Sequence, residues 1–207
     1  MIVRICKAVV AVGAACTFVA PASAQSEPPD TLVQRVAGEV LEIVKRDKDI
    51  QAGDRQKVIA LVEERVLPHF DFERMTALAM GINWRKASAE QRSRLVDEFR
   101  TLLVRTYSTA LTNYRDQTIE YRPLRAQPGD TDVTVRSQVR QAGTEPIGID
   151  YSLAKTDAGW KVYDVTVAGV SLVTTYRETF AQEVRKAGVD GLIKTLGEKN
   201  RQLQTKS

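Results

Sequence analysis

Residues 132–167 read DVTVRSQVRQAGTEPIGIDYSLAKTDAGWKVYDVTV. Val133, Val135 and Val139 alternate with Arg136 and Arg140, and Ile147, Ile149, Tyr151 and Leu153 repeat the same period of two. That period belongs to strands with one buried and one wet face, and the β-branched and aromatic content suits a pleated surface. The spacing predicts strands over Asp132–Gln141, Ile147–Ala154 and Trp160–Val167. Ala142-Gly143-Thr144 and Asp157-Ala158-Gly159 separate them and supply turn chemistry. Links this short join antiparallel neighbours. One more run, Thr118–Arg125, lies upstream behind Pro128-Gly129-Asp130, which makes a four-stranded antiparallel meander.

Outside the meander the period changes to helical. Val33, Val36, Ala37, Val40, Leu41 and Val44 mark a helix over Thr31–Lys45. Gly53-Asp54 opens a second, with Val58, Leu61, Val62 and Val66 on one stripe, and Pro68 ends it. Asp71 caps a short helix over Phe72–Met80, closed by Gly81. Ser88 and Gln91 form a capping box for the longest helix, read to about Tyr114, with Leu95, Phe99, Leu102, Leu103, Thr106, Tyr107, Ala110, Leu111 and Tyr114 facing inward. After Gly169, Ser171 caps a helix carrying Leu172, Val173, Tyr176, Phe180 and Val184 as far as Gly188. Val189, Leu192, Ile193 and Leu196 form a last short one. Helices, a strand run, then helices is an α+β class, with the sheet wrapped by helices.

The first residues read as an address. Arg4 and Lys7 precede the apolar run Ala8–Ala20, Pro21 breaks it, and Ala22-Ser23-Ala24 supplies small residues before a cut after Ala24. That is the layout of a secretory signal peptide, and the run is too short to span a bilayer comfortably. Residues 1–24 are therefore expected to leave, and 25–207 to form a single periplasmic domain. Cys6 and Cys16, the only cysteines of the 207 residues, leave with the signal, so packing alone must hold the domain.

Composition excludes much chemistry. One histidine and two departing cysteines leave no zinc or iron–sulfur ligand set, and no cofactor is expected. A net charge of +4 is too mild to indicate nucleic acid. His69, the single histidine, follows Pro68 at a helix end. Gly169-Val170-Ser171-Leu172-Val173 lacks the second glycine of a nucleophile elbow and follows an antiparallel meander, where Ser171 serves better as a helix cap. The carboxylates Asp97, Glu98, Asp150 and Asp164 are scattered. Arg115, Arg122, Arg125, Arg136 and Arg140 cluster around the first two strands, as a solvated face or one that meets an anionic partner. No catalytic constellation emerges, and the chain reads as a binding or interaction module rather than an enzyme.

Five segments, in order, resemble the MlaC family, also called the toluene-tolerance Ttg2 family. They are Val66–Met75 (VLPHFDFERM), Gly81–Arg92 (GINWRKASAEQR), Glu98–Leu103 with Thr106–Leu111, Gly159–Val165 leading into Gly169–Val173, and Gly188–Ile193 with Leu196. Ala168 departs from the family, which usually has Glu before Gly-Val-Ser. The resemblance implies a periplasmic carrier, and a shuttle of that kind is expected to work as a monomer. It would shuttle phospholipid between an outer-membrane lipoprotein complex and an inner-membrane ABC transporter bearing an MCE-domain protein, maintaining outer-membrane lipid asymmetry. It also implies a curved antiparallel sheet with acyl tails in an apolar cavity between sheet and helices.

Physics suits that task. Two tails with roughly 30 methylenes cost on the order of 24 kcal/mol to expose, at about 0.8 kcal/mol per methylene. The resemblance places tail contacts at Tyr107, Ile147 and Val170, and the inward stripes add Phe99, Leu103, Leu111, Ile149, Tyr151 and Val165. Other readings stand beside it: a carrier of another lipid such as a hopanoid, a hydrolase using Ser171 or the scattered carboxylates, and a ligand-free adaptor docking through its arginines.

Overall fold

The computed structural model describes residues 27–112, 114 and 117–205. The signal peptide, its cleavage site and Arg115 lie outside the described residues. Among the described residues seven helices and five strands follow one another: α1 (Pro29–Arg46), α2 (Lys48–Gln51), α3 (Arg55–Arg65), α4 (Phe72–Met80), α5 (Ala89–Tyr107), α6 (Thr109–Thr112), β1 (Thr118–Tyr121), β2 (Asp132–Arg140), β3 (Ile147–Thr156), β4 (Gly159–Val167), β5 (Val170–Ser171) and α7 (Leu172–Thr205). Short 3-10 turns occupy Leu67–His69 and Gly81–Lys86.

The caps are local chemistry. Asp54 accepts the Lys57 N–H, Asp71 accepts the Arg74 N–H at 2.9 Å, and Ser88 with Gln91 forms the reciprocal box. Each satisfies donors that a helix start leaves bare. Asp47 does the same for α2, a turn absent from the sequence reading.

The sheet is an antiparallel meander in the order β1-β2-β3-β4-β5, one strand more than expected. The fifth is the two-residue Val170–Ser171, which returns along β4 and pairs Val170 with Val167. The turn between them places Ala168 at φ 48° and Gly169 at φ 82°, the double positive φ of a type I′ hairpin turn. On the inner face, Val135, Tyr151 and Val165 share one rung, and Val133, Leu153 and Val162 the next. A bulge at Ser152/Leu153 sets Tyr163 apart from this face. Its hydroxyl donates to Asp132 at 2.7 Å, and the Arg74 guanidinium stacks 3.6 Å from its ring while bonding the same carboxylate.

Three boundaries differ from the sequence reading. The long helix stops at Tyr107 rather than Tyr114, because the Ser108 hydroxyl bonds back to Val104 O and the Leu111 N–H reaches only to Ser108 O. β1 ends at Tyr121 rather than Arg125: the Arg122 N–H still donates to Arg136 O, but Pro123 has no N–H to continue the ladder. The last two helices run on as α7, with a sharp kink at Gly188, φ 71°.

Buried side chains form three clusters. Met75, Leu95, Phe99, Phe180 and Leu192 join α4, α5 and α7. Val40, Val44, Ile50, Val58 and Val104 join α1, α2, α3 and α5. Leu32, Val33, Val135, Leu153 and Val162 join α1 to the sheet. The backbone pins the layers together where Phe70 bridges Val162 and the Asp71 N–H donates to Val162 O at 2.8 Å.

Ala168 holds a left-handed conformation that a Cβ disfavours. Ala168→Asn is expected to stabilise the domain by about 0.5–1 kcal/mol, since Asn tolerates this region and suits the first position of a type I′ turn. The check is a higher urea midpoint at unchanged slope.

Candidate functional site

Between the three clusters lies a cavity of about 280 Å³. α1 turns one apolar face to it through Leu32, Val33, Val36, Ala37 and Val40, residues three or four apart or adjacent. Val62, Val66, Leu67 and His69 enter from α3 and the turn that Pro68 forces. Met75 enters from α4, and Leu103, Val104, Tyr107 and Ser108 from α5 and its end. Tyr151, Val162 and Val165 form the sheet wall. None of the lining residues among those described is Lys, Arg, Asp or Glu. A space so lined offers little to water, which needs polar partners, and much to hydrocarbon.

Five residues expected from the sequence line this cavity: Leu103, Tyr107, Leu111, Tyr151 and Val165. Four lie outside the lining. Phe99 is fully buried in the helical cluster, edge-on to Tyr176 and Phe180 with ring centres 5.1 Å away. Ile147 and Val170 are 48% and 58% exposed. Ile149 pairs with Val167, and Val167 with Val170, so these side chains extend the inner sheet face beyond the Tyr151–Val165 rung. With Tyr107, 38% exposed, Ile147 and Val170 are three of the four exposed large hydrophobics among the described residues. The contribution of α1 was missed as a site. Its stripe was legible, but a stripe facing a void reads like one facing a core.

Polar groups near the cavity are few. Burial, with the Arg35 and Lys161 charges nearby, holds the His69 imidazole below its ordinary range. Burial pushes the Tyr151 hydroxyl up to about 12. The Ser171 hydroxyl bonds Asp164 and accepts the Thr174 N–H at 3.0 Å, which makes it the cap of α7. Among the described residues no group of three or more His, Cys, Asp or Glu is placed to hold a metal ion, and no helix is long and apolar enough to cross a membrane.

The family model described as MlaC protein matches residues 34–198. The chain belongs to the MlaC family. The intermembrane phospholipid transport system binding protein MlaC of Haemophilus influenzae is 27% identical over 168 residues, 80% of this chain and 78% of that protein. The toluene tolerance protein ttg2D of Pseudomonas putida is 26% identical over 172 residues, 83% of this chain and 79% of that one. A phospholipid-binding protein from Ralstonia solanacearum, solved in complex with a phospholipid, is 43% identical with a TM-score of 0.80, covering 86% of this chain and 99% of that one. The α+β fold with its antiparallel sheet is thus one that the MlaC family shares with a lipid-bound structure.

Two outcomes follow from these placements. Phe99→Ala empties a fully packed site, so the expected loss is about 3–5 kcal/mol of unfolding free energy, read by denaturant titration. His69 has a folded pKa below its unfolded value near 6.5, so the unfolded state binds more protons as the medium acidifies. Its contribution to stability is therefore full above the unfolded value and falls as pH drops below about 6.5. His69→Asn should flatten that acid-side slope in midpoints measured from pH 7.5 to 5.5.

Proposed function

We propose that this chain is a periplasmic carrier that holds phospholipid acyl chains in the cavity between α1, α3, α5 and the sheet. The observation that carries the reading is the lining itself: aliphatic and aromatic walls drawn from two layers, with Tyr107 partly exposed. Apolar walls facing empty space forfeit packing contacts, and a hydrocarbon chain restores them. The likeness to a protein solved with a phospholipid, and the name of the Haemophilus influenzae relative, support phospholipid as the cargo.

The carrier takes lipid from one membrane system and delivers it to another, sustaining the lipid asymmetry of the outer membrane. Its partners on this reading are an outer-membrane lipoprotein complex and an inner-membrane ABC transporter with an MCE-domain protein. Neither a catalytic step nor a cofactor is needed, because partners of different affinity bias an exchange of cargo. Leu103, Tyr107, Leu111, Tyr151 and Val165 touch the tails within the cavity. Ile147, Ile149 and Val170 meet the lipid where it emerges over the sheet's outer end. Phe99 holds the wall behind Leu103.

Protein purified without detergent, extracted with organic solvent and analysed by mass spectrometry, is expected to yield a near-stoichiometric diacyl phospholipid. A hopanoid would keep the carrier and change its cargo, and a well-folded protein without lipid would overturn the reading. Val165→Trp places an indole in the sheet wall and should lower lipid occupancy several-fold, while the thermal midpoint stays within a few degrees.

A further inference from the structure

A second cavity, also of about 280 Å³, lies between α3, α5 and the end of α7. Leu67 and Val104 line both cavities, so the two stand back to back across these side chains. Their linings are opposite in kind. Gln56 and Glu63, two turns apart on α3, enter the second from one side, Arg100 and Arg105 from α5, and Gln204 from α7.

The polar groups of this pocket are unevenly spent. Arg100 is paired with Asp97 at 3.3 Å, and the Thr101 hydroxyl donates to Asp97 O at 2.8 Å. Arg105, half-buried, donates one N–H to Asn200 O at 2.5 Å. A carbonyl leaves the guanidinium charge unneutralised, and four of its five N–H groups have no acceptor among the described residues. Glu63, exposed on α3, has neither an ion-pair nor a hydrogen-bond partner among the described residues. A cation and an anion thus line one space without meeting, and the complement of such a space is a molecule with a negative and a positive end. The negative end is the better served in donors. Arg105 on α5 and the amides of Gln56 on α3 and Gln204 on α7 reach it from three helices. Donors from three directions suit the tetrahedral oxygens of a phosphate better than the planar pair of a carboxylate.

We propose that this pocket binds a phosphoethanolamine group, with the phosphate on Arg105 and the ammonium on Glu63. The group can arrive as a free glycerophosphodiester or as the head group of a lipid. The proposal stands apart from the carrier reading, since a glycerophosphodiester has no acyl chain.

The test is a calorimetric titration of the purified protein at low ionic strength with two soluble probes, glycerophosphoethanolamine and glycerol 3-phosphate. The wild-type protein is expected to bind both, the zwitterion more tightly. Arg105→Gln should weaken both roughly ten-fold, as the loss of a charge-assisted hydrogen bond does. Glu63→Gln removes an exposed, unpartnered carboxylate and leaves the fold alone. It should weaken glycerophosphoethanolamine about three-fold and leave glycerol 3-phosphate unchanged or tighter. No binding of either probe overturns the proposal, as does equal binding of both by wild-type protein and Glu63→Gln, which would reduce the pocket to a plain anion site. The lipid that co-purifies with each protein separates the two sources. A lower share of phosphatidylethanolamine on Arg105→Gln assigns the pocket to a head group, and an unchanged share beside a weakened titration assigns it to the free diester. A wild-type protein that binds glycerophosphoethanolamine but carries no lipid keeps this pocket and overturns only the carrier reading.

Discussion

The architecture depends on keeping two layers joined without letting them close. Phe70 and Asp71 tie the helical layer to β4 through backbone bonds to Val162, so at that edge helix and sheet share one ladder. Elsewhere the apolar residues settle into three clusters instead of one, and the space between the clusters stays open. Protein interiors ordinarily fill such space to crystal-like density, because every unfilled contact is lost dispersion energy. Here the cost is borne by a frame that packs tightly around Phe99, Phe180 and Leu192, away from the void. A ligand that fills the space adds its binding free energy to the stability of the fold by mass action.

α5 and α7 are tied to each other by side-chain hydrogen bonds, Asn200 donating to Glu98 and Arg105 to Asn200 O, and α1 is attached in another way. The ion pairs of α1 stay within it and reach only Glu27, two residues ahead of it: Arg35 with Glu27 and Glu39, Lys45 and Arg46 with Glu42. Such exposed pairs stiffen a helix by a few tenths of a kcal/mol without attaching it to anything. What attaches α1 is its apolar face, shared between the cavity, the sheet and α3, together with Lys45 over the Tyr114 ring and the Asp47 junction that Lys57 braces. The wall of the site is thus held by the same kind of surface that the site presents to a ligand.

How much of this was readable in the sequence follows from what each signal encodes. The meander was legible because strand alternation and turn glycines are local, and the caps at Asp54, Asp71 and Ser88 because they lie within four residues of what they bond. Val170–Ser171 escaped because two residues show no period. The site was legible in part. On α5, residues four apart advance about 40° around the axis, so the stripe from Phe99 through Leu103 to Tyr107 turns from α7 toward the cavity. Periodicity marks the stripe as inward and is silent about which neighbour, or which void, each residue meets. Ile147 and Ile149 share the face of Tyr151 for the same reason, and only the extent of the covering helices separates wall from rim.

The short first strand bears on how the molecule lives among copies of itself. A sheet whose last strand is long and flat is a template for edge-to-edge pairing, and a protein displaying Ile147 and Val170 beside an apolar cavity has more to lose from aggregation than most. β1 offers four residues, ends at Tyr121 just ahead of Pro123, and carries the Glu120 carboxylate paired with Arg140 across its outer surface at 2.7 Å. Proline and charge at an exposed sheet edge blunt association between chains. The same truncation that made the strand hard to delimit in the sequence leaves little backbone template at that edge for a second greasy chain to pair with.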